Sequence, residues 1–243
     1  MKIVDAVWEK RNLGVTCCEI TVEPDDVFTQ IRRQLEFQPA QYMVVKVPPE
    51  RPDVMFELGG IGYTFIECMI HLTHDLRRPN IQLDKLQQRL ADAVDYALMD
   101  DSDINFLFSK IQGGLFQTDR IAIDSHFTKE QAANRYIGWI SDELEKGANI
   151  YKFLYRDKPI GFFTFKDLGD GIYYPFLVAL YDAQESAGLG FNVVYKPICE
   201  ILKRNGRGLS TYISSNNLNA LNVNIAFGCK FQDVHYVYVK HSQ

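Results

Sequence analysis

Gly188 and Gly190 lie in a run of small residues between an apolar, β-type stretch and an amphipathic one. The apolar stretch covers residues 174–180, and the amphipathic one, FNVVYKPICEILKR, covers residues 191–204. This order predicts a strand, a glycine turn and a helix. A helix N-terminus presents unpaired N–H groups and a partial positive charge, and glycine lets a phosphate approach the backbone. The stretch therefore predicts an anion site, and a pyrophosphate is the expected ligand.

The elements around this turn follow an α-β-β-β-α-β-α-β order from Thr128 onward. Thr128 with Gln131 three positions later forms a capping box, which predicts a helix that runs to Lys146. The remaining predicted elements are a hairpin over 151–155 and 159–168, a third strand over 173–180, the glycine helix, a strand over 209–214, a helix over 217–227 and a last strand over 231–240. The glycine turn thus follows the third strand.

The beginning of the chain also alternates β-type and helical patterns. Residues 1–22 predict two short strands around the polar turn KRNLG. They are followed by a helix over 27–37, a strand over 42–47, a short helix over 54–58 and a long strand over 63–76. We divide the chain into a degenerate N-terminal domain over 1–76, a polar, partly helical connection over 77–112 and a catalytic domain over 113–243.

The two halves resemble each other at an offset of 166 residues. Residues 62–67, GYTFIE, align with residues 228–233, GCKFQD, and each segment follows a short helix and precedes an apolar strand. A helix that ends in glycine before a strand is also common without any repeat. If the repeat is real, the first half lacks a counterpart of the glycine turn and cannot bind the same anion.

The composition limits the possible partners. A formal net charge of −5 and a pI near 5.6 give no global field that would attract nucleic acid or an anionic membrane. No apolar run approaches the roughly 20 residues of a membrane span, and the charged N-terminus is unlike a signal peptide, so we expect the cytoplasm. The five scattered cysteines are interpreted as reduced core thiols, and no metal site is expected.

Residues 128–240 resemble the GNAT acyltransferase superfamily. The loop pattern Gln/Arg-x-x-Gly-x-Gly/Ala falls on Glu185, Gly188 and Gly190. The helix pattern, Asn-x-x-Ala followed by an aromatic residue and Gly-Phe, falls on Asn217, Ala220 and Gly228, with Phe231 later. The whole chain, including WEKRNLG near its start and QAANRYIGWI after DSHF, is similar to the dTDP-fucosamine acetyltransferase type of sugar N-acyltransferase. The resemblance implies an α/β (mixed α+β) GNAT fold with a central mixed sheet, preceded by a degenerate GNAT-like half.

The resemblance also implies the ligands and the reaction. The donor would be acetyl-CoA or another acyl-CoA, and the amine of a nucleotide-linked amino sugar would attack it directly in a ternary complex. Backbone groups of the third strand would bind the pantetheine and the loop would bind the pyrophosphate. The implied cofactor-binding residues are Val178, Leu180, Ser186, Ala187, Gly188, Leu189, Gly190, Phe191, Asn217 and Asn219.

Two positions depart from the family pattern. Glu185 stands where Gln or Arg is usual, and a carboxylate beside a pyrophosphate is unfavourable unless it points to solvent, so Gln184 is an alternative polar contact. Asn224 falls where many relatives have a tyrosine that protonates the leaving thiolate. An amide is not an acid at neutral pH, so three alternatives remain. Asn224 only hydrogen-bonds the sulfur, another group acts as the general acid, or the thiolate leaves without protonation.

The candidate base is His126 in the loop DSHF, because histidine is the residue type most often used as a general base; a plain loop histidine is the alternative. Asp124 would orient His126 or bind a sugar hydroxyl, or it only caps the chain. Further substrate-binding candidates are polar residues of the first turn, which could instead be a solvated turn. Two aromatic residues on one helix face are also candidates, and they could instead pack in the core. These residues are Glu9, Arg11, Asn12, Tyr136 and Trp139.

Other functions remain open from the sequence. The protein could acylate another small amine, or it could be a non-catalytic module that binds acyl-CoA. Nucleic acid and membranes are not expected as partners. An exposed strand at the C-terminal sheet edge could pair with a second copy, so a homodimer is a hypothesis.

Overall fold

The structure is a computed structural model that describes residues 1–37, 39–78, 81–182 and 187–242. Its first half alternates strands and helices much as the sequence predicts. The elements are β1 (Lys2–Asp5), α1 (Val7–Leu13), β2 (Cys17–Thr21), α2 (Phe28–Phe37), β3 (Tyr42–Val47), α3 (Pro52–Gly60) and β4 (Thr64–Asp75).

The second half confirms the element order predicted from Thr128, and the capping box of Thr128 and Gln131 is formed. Two details differ: the predicted third strand is two short strands, and the connecting segment contains an unpredicted strand, β5. The elements are α4 (Lys85–Asp92), β5 (Val94–Leu98), α5 (Asp101–Gln112), α6 (Arg120–Ile123), α7 (Lys129–Glu145), β6 (Asn149–Tyr155), β7 (Lys158–Asp167), β8 (Ile172–Tyr174), β9 (Val178–Leu180), α8 (Asn192–Lys203), β10 (Gly208–Ser214), α9 (Leu218–Ala226) and β11 (Lys230–His241).

The prediction of a strand and a polar turn over residues 1–14 is wrong beyond β1, because Val7–Leu13 is the helix α1. Glu9, Asn12 and Leu13 are buried on one face of this helix, at the spacing of three and four residues that brings side chains together. That face packs on α7. Gly14, at φ +79°, ends the helix in the left-handed conformation that glycine adopts easily.

The two halves exchange a strand. Among the described residues, the strands form a sheet in the order β1-β2-β3-β11-β4-β10-β8-β7-β6-β5, with β9 paired to β7. β11 from the end of the chain pairs with β3 and β4 of the first half, and β4 pairs with β10 of the second half. The sheet is therefore continuous across both halves, and the predicted division at residues 76 and 113 stays a prediction.

The internal repeat is confirmed by the element bounds. α9 begins 166 residues after α3, at Leu218 against Pro52, and β11 begins 166 residues after β4, at Lys230 against Thr64. The paired elements also have the same lengths, 9 residues for the helices and 12 for the strands. β4 and β11 lie side by side, so the two copies of this strand meet at the centre of the sheet.

The sheet splits between β9 and β10. β8 pairs with β10 only at Gly208 and Leu209, whereas β9 pairs with β7 and not with β10. Beyond Leu209, β10 keeps its other neighbour, β4, as far as Ser214. The gap leaves one edge of β10 and one edge of β9 facing each other, with backbone groups that none of the described strands pairs.

None of the helices in the described part of the chain is both long enough and apolar enough to cross a membrane.

Candidate functional site

A cavity of about 620 Å³ lies where the split opens, and both halves of the chain line it. One face of the central sheet forms its floor, because Lys46 of β3, Val237 of β11 and Glu67 of β4 are aligned across neighbouring strands. The N-terminal end of α6, the middle of α7 and the first turns of α8 form its walls. The segment from Tyr174 to Val178, between β8 and β9, closes the side at the split.

Gly161 of β7 determines how closely β9 can approach. A Cβ atom at this position would stand 2.3 Å from the carbonyl oxygen of Ala179 and 2.9 Å from the Cα of Leu180. No side chain fits there, so only glycine allows β9 to take its place against β7. Of the predicted donor-binding residues on this strand, Val178 lines the cavity, whereas Leu180 packs against the main core.

Glu67 is the buried carboxylate of the cavity. It is 5% exposed, and its Oε2 has no hydrogen-bond partner among the described residues. Burial raises the pKa of its carboxyl group, although the positive charges of Arg120 and Arg135 act in the opposite direction. A carboxylate whose pKa is shifted toward neutrality is suited to accept a proton from an amine.

Two arginines beside Glu67 are held by acidic residues. Arg120 binds Glu19, and Arg135 binds Glu9 with an Nε–Oε1 distance of 2.8 Å. Burial would raise the pKa of Glu19, but Arg120 and Lys46 outweigh burial and lower it to about 2. Each guanidinium thus has an acidic partner inside the protein.

Aromatic side chains form the wall opposite the sheet. Tyr136 and Trp139 lie three residues apart on α7 and both line the cavity, as their spacing suggests. Tyr136 is stacked at a tilt on Phe116, with ring centroids 4.4 Å apart, and Trp139 packs on Phe176 at 5.2 Å. These rings give the cavity an apolar surface on which a sugar or base could lie.

The predicted anion loop precedes α8 as expected. Gly188 has φ +80°, a conformation that favours glycine, and Leu189 is buried in the main core. Ala187, Gly188, Leu189, Gly190 and Phe191 are not among the residues that line the cavity, which α8 instead reaches through Val193, Val194 and Pro197. Ser186, together with Gln184 and Glu185, lies outside the described residues.

The asparagines of α9 have different surroundings. Asn217 is the N-cap of α9, where its Oδ1 accepts a hydrogen bond from the N–H of Ala220, and it also lines the cavity. Asn219 is exposed and does not line it. Asn224 is buried at the cavity wall, donates through Nδ2 to the Ala220 carbonyl at 2.8 Å and accepts a weak hydrogen bond from Cys229.

The polar residues predicted to bind substrate from the first turn lie behind the cavity wall. Glu9 is fully buried against Arg135, and Asn12 packs against Gly138, where a Cβ would stand 2.3 Å from its Oδ1. Arg11 is exposed and binds Asp142. None of these three residues lines the cavity. Only Glu9 is connected to it, through the ion pair with Arg135.

His126 and Asp124 form a separate cluster with His241. Asp124 is hydrogen-bonded to His126 Nδ1 at 3.1 Å and to His241 Nε2 at 2.8 Å, and the two imidazole rings are stacked with centroids 3.8 Å apart. The ligand atoms lie within 4.8 Å of one another, close enough for a divalent metal ion, but the hydrogen bonds already account for their arrangement. Neither Asp124 nor His126 lines the cavity.

The sequence reasoning missed Glu67, Arg120 and His235, all of which line the cavity. Glu67 and His235 alternate with apolar residues in long strands and look like solvent-facing positions. The only sequence signal for Glu67 is its place in the internal repeat, which aligns it with Asp233. Asp233 also lines the cavity, where it binds His71.

No protein-family model matches the sequence. No curated protein was found to match it either. Solved structures do match. A GCN5-related N-acetyltransferase from Sphaerobacter thermophilus has a TM-score of 0.64 at 8% identity, over 99% of this chain and 75% of the other.

Two further structures have similar scores. A tandem GNAT protein from the clavulanic acid biosynthesis pathway has a TM-score of 0.58 at 12% identity, over 93% of this chain and 77% of the other. The glucosamine N-acetyltransferase region of a fungal multi-domain β-N-acetylglucosaminidase has a TM-score of 0.59 at 13% identity, over 81% of this chain and 25% of the other. The mixed α/β architecture expected from the sequence is confirmed. The chain therefore has the fold of the GCN5-related N-acetyltransferases, in a two-part arrangement with a degenerate first half.

Proposed function

We propose that the protein transfers an acyl group from acyl-CoA to a primary amine. The observation that carries this proposal is the split between β9 and β10, which opens into a cavity that holds the buried carboxylate of Glu67. An extended donor can enter such a gap and pair with the free backbone edges, and its reacting end then meets a potential base.

The donor would be bound by the backbone. The pantetheine would pair with the edge of β9 around Val178, in the way that a peptide adds to a sheet edge. The glycine turn before α8 would receive the pyrophosphate, because the first turn of a helix offers N–H groups and a partial positive charge. The described part of this turn, Ala187–Phe191, keeps its predicted role as a proposal.

Glu67 would act as the base in place of His126, which lies outside the cavity. The acceptor amine attacks the thioester carbonyl carbon, a C–N bond forms, and the C–S bond breaks as the tetrahedral intermediate collapses. The proton of the attacking amine passes to the Glu67 carboxylate, and the thiolate leaves with the sulfur electron pair. Asn224, as an amide, can stabilise that thiolate only by donating a hydrogen bond.

We further propose that the acceptor is a nucleotide-linked amino sugar, with dTDP as the first nucleotide to test. The aromatic wall of Tyr136 and Trp139 supports this assignment, because sugar rings and bases pack well on aromatic faces. The glucosamine N-acetyltransferase region that matches this fold acts on an amino sugar, as its name states.

The test is an assay of thiol release by the purified protein with acetyl-CoA and a panel of amines. The panel contains dTDP-linked amino sugars, free glucosamine, a polyamine and a lysine peptide. Turnover with a sugar nucleotide supports both proposals. Turnover with only the peptide or the polyamine contradicts the sugar acceptor, and the absence of turnover with every amine contradicts the enzyme.

A non-catalytic acyl-CoA-binding module is the second candidate. The observation in its favour is that both ends of the Asn224 amide are engaged within the protein, at the position where relatives carry an acid. Calorimetry separates the two functions, because a module binds CoA tightly without releasing thiol from acetyl-CoA in the presence of any amine.

The homodimer also remains a proposal, although the expected C-terminal sheet edge is wrong, because β11 lies between β3 and β4. β1 and β5 are the outer strands of the described sheet, and an unpaired strand edge can pair with a second copy. Light scattering of the purified protein distinguishes a monomer of 28.0 kDa from a dimer.

A further inference from the structure

Three side-chain atoms that have no hydrogen-bond partner among the described residues belong to residues that line the same cavity. They are Glu67 Oε2, Arg120 Nε and His235 Nδ1, and each has almost no contact with solvent. His235 Nδ1 lies 3.5 Å from a carboxylate oxygen of Asp233, and the two atoms are not hydrogen-bonded. Buried polar groups in proteins are nearly always paired, so three such atoms around one cavity point to a ligand that pairs with them.

The three side chains converge from three elements, β4, β11 and α6. Glu67 lies opposite Val237, and His235 lies opposite Met69, so Glu67 and His235 are diagonal neighbours on one face of adjacent strands. Arg120, at the start of α6, lies over this face, since it binds Glu19 of β2 and its charge acts on Glu67. The unpaired atoms therefore border one polar end of the cavity.

The charges around this end determine what can bind. Arg120 is neutralised by Glu19, and Arg135 is neutralised by Glu9 and Asp119, at 3.5 Å. Of the described acidic residues that line the cavity, Glu67 is the one with a buried oxygen that has no hydrogen-bond partner. An ammonium group fits that oxygen, whereas a ligand carboxylate would have to face the Glu67 carboxylate beside two guanidinium groups that are already paired.

The other two atoms require a neutral group. Arg120 Nε–H can only donate, so it needs an acceptor oxygen, and an imidazole nitrogen can donate or accept according to its tautomer. A hydroxyl satisfies both, because it accepts one hydrogen bond and donates another. An uncharged oxygen beside the amine thus completes the pairing of all three atoms.

We propose that the acceptor of this site is a primary amine with a hydroxyl group on the neighbouring carbon, a β-amino alcohol. The amine meets Glu67, and the hydroxyl lies between Arg120 and His235. This inference rests on the proposed acyl transfer. It specifies the acceptor further by excluding amines whose neighbouring carbon carries a carboxylate.

A matched series of acceptors tests the inference with the wild-type protein. The series is trans-2-aminocyclohexanol, cyclohexylamine and trans-2-aminocyclohexanecarboxylic acid, with acetyl-CoA as donor and kcat/KM as the readout. A site built to hydrogen-bond a hydroxyl discriminates against analogues that lack it, so we expect the amino alcohol to exceed cyclohexylamine by at least about tenfold. The amino acid should react least.

Equal values for the amino alcohol and cyclohexylamine would overturn the inference, as would a preference for the amino acid. Failure of the proposed acyl transfer can be distinguished from failure of this inference. In that case none of the three amines reacts, and calorimetry shows either no CoA binding or CoA binding without transfer. A second measurement uses Arg120→Lys, which removes the Nε–H and keeps the charge. The ratio of kcat/KM between the amino alcohol and cyclohexylamine should fall toward one in this variant, and an unchanged ratio would exclude the role of Arg120.

Discussion

The carbonyl oxygen of Ala179 occupies the space that a side chain at Gly161 would need. The distance from a Cβ at Gly161 to this oxygen would be 2.3 Å, far below contact distance. β9 can therefore lie against β7 and away from β10 only because residue 161 is glycine. The opening in the sheet depends on this contact.

Gly161→Ala should displace β9 and weaken donor binding. The added methyl group meets backbone atoms, which cannot rotate away, and overpacking of this kind destabilises a protein by about 1–3 kcal/mol. Thermal unfolding measures the loss, and calorimetry with CoA measures the affinity. Gly59→Ala is the matched control, because a Cβ there meets nothing within 4 Å, so it should leave both values near those of the wild type. Unaltered CoA affinity in Gly161→Ala would contradict the role of β9.

Glu67→Gln should abolish most of the transfer while donor binding persists. General base catalysis typically contributes about 10²–10⁴-fold, so a loss in kcat of that order is expected. In the wild type, kcat/KM should fall as the pH drops through the raised pKa of Glu67, since only the carboxylate accepts a proton. The variant should lack this acidic limb. Glu145→Gln, at an exposed position, is the control and should keep the wild-type profile.

The same substitution should increase stability at neutral pH. Because burial raises the pKa of Glu67, the unfolded chain releases this proton near the ordinary value of 4.5 while the folded protein still holds it. The free energy of unfolding of the wild type therefore declines as the pH rises above that value. Glutamine does not titrate, so the stability of the variant relative to the wild type should grow from pH 4 to pH 7, in denaturant titrations. A constant difference would show that the pKa is not raised.

Two ion pairs join α1 to α7, and they should differ strongly in their contribution to stability. Glu9 is fully buried beside Arg135, so Glu9→Gln leaves a buried guanidinium undercompensated and should destabilise the protein by about 3–5 kcal/mol. Arg11 is 57% exposed in its pair with Asp142, and Arg11→Gln should lower the stability by less than about 1 kcal/mol. Chemical denaturation of both variants measures the two losses of stability. Similar losses in Glu9→Gln and Arg11→Gln would refute the prediction.

Gly188→Ala should weaken CoA binding, whereas Gly147→Ala should not. Both glycines have φ between +80° and +87°, so alanine at either position should lower stability by a similar amount, about 1 kcal/mol. Only Gly188 belongs to the turn that is proposed to bind the pyrophosphate. Distortion of that turn should reduce the affinity by about tenfold, equivalent to the loss of about one hydrogen bond. Equal CoA affinities of the two variants would place the anion elsewhere.

Local patterns predicted most of the helices and strands, because their signals lie within a few residues. The capping box of Thr128, the glycine turn before α8 and the alternation in β4 and β11 are of this kind. α1 was mistaken for a strand and turn because its helical face is defined by the burial of Glu9 against α7. β5 was missed because Asp95 interrupts a run of only five residues.

The site was less predictable than the fold. Tyr136, Trp139, Val178, Asn217 and Asn224 line the cavity, as residues near a ligand should. The prediction of His126 as the base rests on its chemistry alone, and the fold places this residue beside Asp124 and His241. Glu67 could not be recognised, since its importance comes from the loss of solvent and of hydrogen-bond partners, and both depend on strands that are distant in the sequence.

The exchange of β4 and β11 also affects how the chain can fold during synthesis. One of the two neighbours of β3 in the sheet is β11, which the ribosome makes much later than β3. The first half must wait with an unpaired strand edge until some 180 further residues have been added, because pairings of such large sequence separation form late. During that interval β3 and β4 are exposed to wrong pairing, so the nascent protein is a predicted client of chaperones.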